Sequence, residues 1–122
     1  MTDDPVRRLD DVELASTDWG EIAWLVDGAT IAGAEQTLGV VRIHPGRRNP
    51  LHLHPNCEEL LYVVSGECEH RVGERVFELR PGSVVRIPTG VAHWARCTGD
   101  QPLVAVVCFS SGERRVELLE DP

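Results

Sequence analysis

Along most of the chain, apolar and polar residues alternate in short stretches, and glycine or proline closes each stretch. A period of two puts successive side chains on opposite faces of a strand, one face buried and the other wet. Residues 19–28 (Trp-Gly-Glu-Ile-Ala-Trp-Leu-Val-Asp-Gly) read as a strand ending in the Asp27-Gly28 turn, and residues 37–44 as a β-branched strand stopped by Pro45-Gly46. Residues 50–54 form a short strand, and 59–64 another that halts at Ser65-Gly66. Residues 67–72 and 75–79 flank Gly73-Glu74, a hairpin turn. After Pro81-Gly82 come strands at 83–87, 91–97 and 102–109, while 115–119 reads as a last strand in preference to a short helix. A turn signal about every ten residues, without helical periodicity, is the pattern of an all-β sandwich or barrel. Residues 1–17 lack it and read as an N-terminal arm, leaving 18–120 as a single barrel domain.

Composition narrows the class. A chain of 122 residues fits one domain with one core. Its net charge of −8 would repel a phosphate backbone, which argues against a nucleic-acid partner. All 12 basic residues are arginine, reflecting either genome composition or a preference for bidentate anion contacts. No apolar run is long enough to span a bilayer, and the acidic start Met1-Thr-Asp-Asp differs from a secretory leader. A cytoplasmic protein with no membrane partner is the expectation. Cys57, Cys68, Cys97 and Cys108 contain no Cys-x-x-Cys pair, so reduced thiols are expected and a zinc ribbon is excluded.

The chemistry concentrates in the stretch from Gly46 to Gly66. His52 and His54 lie one residue apart, so on a strand both imidazoles project from one face, ~7 Å apart at the backbone. The chain turns at Pro55-Asn56 and re-enters an apolar run carrying Glu59. Further on, Pro88-Thr-Gly90 turns the chain sharply and presents His93 at the start of an extended segment. Three neutral nitrogen donors and one carboxylate suit a divalent metal and leave coordination positions open for substrate or dioxygen. Such ligands bind deprotonated, so affinity should fall below about pH 6.

The two stretches read G-x5-H-x-H-x4-E-x6-G, from Gly46 to Gly66, and G-x5-P-x-G-x2-H-x3-C, from Gly82 to Cys97. They resemble the two motifs of the cupins, G-x5-H-x-H-x(3,4)-E-x6-G and G-x5-P-x-G-x2-H-x3-N, with Cys97 standing where the family usually has Asn. The resemblance implies a double-stranded β-helix of jelly-roll type. It also implies that His52, His54, Glu59 and His93 are metal ligands, with Glu59 chosen over Glu58 because only Glu59 gives the six-residue gap to Gly66. One divalent ion per chain follows, Fe or Mn favoured, with Zn, Ni, Co or Cu possible. The implied function is a metal-dependent enzyme on a small-molecule substrate, of dioxygenase, isomerase, lyase or decarboxylase, or cyclase type. The alternative is a non-catalytic metal- or small-molecule-binding module. Glu59 is the only candidate catalytic base, acting if it leaves the metal. Small single-domain cupins also look like homodimers.

Other residues carry two readings each. Cys97 shares the parity of His93 and should face the interior, as a pocket-lining thiol or as a small buried apolar residue. Cys57 shares the parity of Glu59 but sits at a turn, and Cys68 and Cys108 read as strand filler. Arg47, with Arg48 and Asn49, is either a holder for a substrate carboxylate or a solvated face. Arg86 and Arg42 point into the cavity or away from it, and Tyr62 and Trp94 line the pocket or belong to the core. Glu58 faces solvent or supports the ligands. The substrate-binding candidates are thus Cys97, Tyr62, Arg86 and Arg47. His44 and His70 are expected to be solvated. Trp19, Ile22, Trp24 and Leu25 either complete their own sheet or cross to a partner.

Overall fold

A computed structural model describes residues 2–121. After a single 3-10 turn at Leu9–Asp11, eleven strands follow: β1 (Leu14–Ser16), β2 (Gly20–Val26), β3 (Thr37–Ile43), β4 (His52–Leu53), β5 (Glu59–Ser65), β6 (Cys68–Val72), β7 (Arg75–Leu79), β8 (Val84–Ile87), β9 (His93–Cys97), β10 (Leu103–Phe109) and β11 (Glu117–Leu118). They form a six-stranded sheet in the order β1-β2-β3-β10-β5-β8 and a five-stranded sheet in the order β11-β4-β9-β6-β7. Every strand pairing is antiparallel. The two sheets face each other as a jelly roll. Among the described residues, no helix is long and apolar enough to cross a membrane.

The alternation read from the sequence is the alternation of burial. On β10, Leu103, Ala105, Val107 and Phe109 are buried and the residues between them are partly exposed. On β5, Glu59, Leu61 and Val63 point inward while Leu60, Tyr62 and Val64 face out. Burying each large aliphatic side chain contributes about 1.5–3 kcal/mol, so the inward rows hold the sheets together. The outward row is apolar too: Tyr62 on β5 is paired with Val84 on β8, and with Leu60 and Val64 they leave an exposed apolar strip on the outer face.

Two glycines are fixed by close approach. Gly66, which ends β5, has φ +80, and a Cβ there would lie 2.4 Å from the Pro102 carbonyl oxygen. Gly39 lies under the Trp24 ring, where a Cβ would meet Cε3 at 2.8 Å. Trp24 itself packs inward against Phe109, with ring centroids 6.0 Å apart, and Trp19 and Ile22 also pack on the core. This aromatic strand therefore completes its own barrel.

Some expected elements shift. The strand expected at 50–54 shrinks to His52–Leu53. Pro50 has no N–H to give a ladder, and residues 46–49 instead run irregularly along β9. Gly46 N–H donates to Cys97 O (3.0 Å), Cys97 N–H to Arg47 O (3.0 Å), and Ala95 N–H to the Asn49 side-chain oxygen (2.8 Å). The N-terminal arm contributes β1, an exposed edge strand paired with β2. The last expected strand forms over only Glu117–Leu118, against β4. His70 is the clearest correction. It is buried rather than solvated, because Glu69 and Arg71 take the outward positions of β6 and turn His70 inward with Cys68. Cys57, Cys68 and Cys97 are buried free thiols and Cys108 is a half-buried one; burial drives the Cys68 thiol up to about 12.

Candidate metal centre

Three parts of the chain meet at one end of the barrel. His52 lies on β4 directly opposite His93, the first residue of β9. His54 follows β4 by one residue, and Glu59 opens β5 at its first inward position. Ring centroids are 4.1 Å apart for His52 and His93, 5.1 Å for His52 and His54, and 5.2 Å for His54 and His93. One donor atom from each of the four residues lies within 4.8 Å of all the others, so the group can hold a metal ion. His54, Glu59 and His93 are buried and His52 is half-buried.

The hydrogen bonds around the rings decide their tautomers. Each Nδ1 faces a backbone carbonyl: Pro50 O for His52 (2.7 Å), Arg115 O for His54 (2.8 Å) and Val91 O for His93 (2.9 Å). A carbonyl only accepts, so each Nδ1 carries the proton and each neutral Nε2 presents a lone pair. On the other side, Glu59 Oε1 lies 3.1 Å from His93 Nε2 and 3.3 Å from His54 Nε2. The His54 Nε2 is buried and makes no hydrogen bond. Acceptors facing acceptors in a dry site repel unless a cation sits among them. The donor set, three imidazole nitrogens and a carboxylate, fits a borderline divalent metal, and backbone carbonyls orient every imidazole as metal sites require.

Protonation states agree with this use. Burial and the neighbouring His93 bring His52 down to about 4, so it is neutral at physiological pH. Burial brings His70 down to about 4 as well. For Glu59, burial raises the carboxyl, while hydrogen bonds and charge from His54 and His93 lower it to about 2 when those rings are protonated; with both rings neutral, a cation held among them would take that role.

A cavity of about 150 Å³ adjoins the four side chains. Trp19, Ile22, Trp24 and Phe109 supply apolar walls, and Asn49, His70 and Arg114 are among its polar lining. Of the substrate-binding candidates, none lines it. Tyr62 faces out from β5, Arg47 is exposed, and Arg86 is exposed in a 2.8 Å ion pair with Glu58. Cys97 does face the interior, but in the apolar core, where its thiol donates to Gln101 O (3.2 Å). Arg42 is exposed, and Trp94 is covered by Arg48 and Arg96. His70 stacks on His93 with ring planes 7° apart, and its buried Nδ1 has no partner. The inward parity of residue 70 with Cys68 was the signal for it. Nothing local signalled Arg114, which resembles half of a surface Arg-Arg pair.

Two outcomes follow. His93→Ala should lower bound metal at least about tenfold, read by elemental analysis of the folded protein, and a chelator should lower the melting temperature of the native chain. In the chelated protein, the unfolded chain protonates His52 and His70 from about pH 6.5 downward while the folded chain resists to about 4. Stability should therefore be full above pH 6.5 and fall continuously towards pH 4. A melting temperature flat over that window would show these imidazoles are not buried as neutral bases.

Comparison with known proteins accords with the site. A family description, the cupin domain, matches residues 39–109. Protein SchB of Streptomyces halstedii is 33% identical over 102 residues, covering 82% of this chain and 74% of that protein. Polyketide synthase CurC of Streptomyces cyaneus is 32% identical over 82 residues, with 67% and 53% covered, and oxalate decarboxylase OxdC of Bacillus subtilis is 34% identical over 85 residues, with 66% and 21% covered. The chain thus spans about half of CurC and a fifth of OxdC. The oxalate decarboxylase of Lactobacillus farciminis, solved as a formate complex, superposes with a TM-score of 0.85 at 25% identity over 92% of this chain and 35% of that one. A structure of the Bacillus subtilis oxalate decarboxylase, whose Mn(II) centres were studied, superposes with a TM-score of 0.85 at 26% identity, over 92% and 31%. By its matched domain, its relatives and its four-residue centre, the chain belongs to the cupin family.

Proposed function

We propose that this chain is a metal-dependent enzyme that binds one divalent ion, Mn(II) or Fe(II), through His52, His54, Glu59 and His93, and acts on a small organic molecule. The observation that carries the reading is the convergence of three tautomer-locked Nε2 lone pairs on the Glu59 carboxylate at the wall of an apolar cavity. The Mn(II) centres of the related oxalate decarboxylase support the choice of metal. When bound, such an ion supplies Lewis acidity and free positions for substrate oxygens.

The chain's own residues restrict the reaction type. Among the described residues, the only ionisable side chains lining the cavity besides the four ligands are His70 and Arg114. Of these two, His70 is the one whose protonation can change, Arg114 being permanently charged. Apolar walls and few proton carriers suit bond breaking or ring closure next to a carbonyl better than multi-step proton shuttling. Decarboxylase or cyclase chemistry is accordingly the favoured type; one relative is named an oxalate decarboxylase. The same scarcity of acids and bases favours a second reading, a module that binds metal and a small molecule without turnover.

Water-proton relaxation of the Mn(II)-loaded protein separates the two. An enzyme should show marked enhancement from exchangeable water on the ion, and turnover of an oxygen-rich ligand that displaces it. A closed coordination sphere, with no enhancement, would overturn the catalytic reading. The exposed strip of Leu60, Tyr62, Val64 and Val84 further supports a homodimer; light scattering that returns a 13.5 kDa particle at micromolar concentration would refute it.

A further inference from the structure

Beside the four ligands, the cavity wall carries one permanent cation, Arg114. Its guanidinium carbon lies 4.3 Å from the centroid of the Trp24 ring and 5.3 Å from that of Phe109, so its faces are satisfied by aromatic contact. Its N–H edges are not. Among the described residues no carboxylate lies within ion-pair distance of it, and its side chain makes no hydrogen bond to another residue. Glu59 and Asp27 act on it only through space, and burial draws its proton affinity down. Its N–H groups stay accessible from the cavity side, since none is among the buried unpartnered atoms, so an incoming acceptor can meet them without displacing a protein partner.

The backbone holding Arg114 is pinned on both sides. Thr37 Oγ1 donates to Ser111 O (2.7 Å) and Gly28 N–H to Gly112 O (2.8 Å). The Asn56 amide donates to Glu113 O (2.9 Å) and accepts from Arg115 N–H (3.0 Å). Arg115 O then accepts from Nδ1 of His54, itself one of the four ligands. The position of Arg114 is thus set relative to the metal centre before any ligand arrives, which lowers the ordering cost of binding.

Charge and volume define what fits. With neutral imidazoles, a divalent ion, Glu59 and Arg114 sum to two excess positive charges in an apolar-walled space, which favours an anion. A cavity of about 150 Å³ accommodates roughly one six-membered ring. We propose that Arg114 anchors the substrate: it binds the carboxylate of a planar organic acid about one ring in size, whose apolar body lies against Trp19, Trp24 and Phe109. The ion's share of this charge rests on the metal-centre reading; the Arg114 contact does not.

The test is a fluorescence titration, since Trp19 and Trp24 line the cavity, of benzoate against benzyl alcohol, in Mn(II)-loaded and in chelated protein. Native protein should bind benzoate more tightly than the alcohol. Arg114→Gln should weaken benzoate at least about tenfold and leave the alcohol within about twofold. Arg42→Gln, which removes the same charge from an exposed side chain outside the cavity, should leave both unchanged. Equal binding of the two probes by native protein, no benzoate binding at millimolar concentration, or equal losses in the two variants would each overturn the proposal. Should Arg114→Gln fail to fold, Arg114→Lys keeps the charge and stem but loses the fork; it should still weaken benzoate several-fold, and unchanged affinity would count against the anchor. Metal content of the same samples reads the other hypothesis separately. Arg114-dependent affinity in protein that binds no metal would remove only the metal centre, whereas metal-loaded protein indifferent to Arg114 would remove only the anchor.

Discussion

A carboxylate at the first inward position of β5, where every other inward residue of the strand is apolar, is the constraint around which this molecule is built. Left alone there, a charge would cost several kcal/mol. The fold answers by bringing imidazoles from two other segments to within 3.1–3.3 Å of it, and by giving each imidazole a backbone carbonyl behind it. With each Nδ1 proton committed to a carbonyl, the nitrogens that meet the carboxylate carry lone pairs. The arrangement is electrostatically incomplete without a cation, which is why the group can hold a metal ion.

The scaffold serves this point in two ways. The six-stranded sheet supplies the floor, with β10 in continuous register on β5 from Ala105 to Phe109, beyond a shift at Val104, carrying Glu59 and Phe109 as a direct pair. The five-stranded sheet supplies the imidazoles through its least regular part, where β4 keeps only two residues. Regular ladders hold the core, while the broken ladder lets the histidines leave strict strand geometry and converge. Ordinary sheet packing some distance away thereby holds the four side chains in place.

The sequence made the barrel and the four converging side chains legible for physical reasons. Burial follows a period of two, turns need glycine or proline, and one-residue spacing puts His52 and His54 on a common face. What it hid depends on contacts between distant segments. His70 sits between two charged residues that mask its inward direction. Arg47 and Arg86 looked equally able to reach a cavity, and the structure turns both away. Arg114 enters the cavity wall on a loop that Asn56, Thr37 and Gly28, all far away in sequence, tie down. Parity along a strand predicts faces; it has no purchase on a loop tied down from elsewhere.

The bond from His54 to Arg115 O links residues 61 positions apart. During synthesis His54 leaves the ribosome long before its partner, so this imidazole has no fixed tautomer or orientation until residue 115 has emerged. Contacts of such long range also form late in folding, after the loop entropy between them has been lost. The four-residue group is therefore complete only once the barrel is, and a chain that stops before Arg115 would leave the His54 ring without its carbonyl.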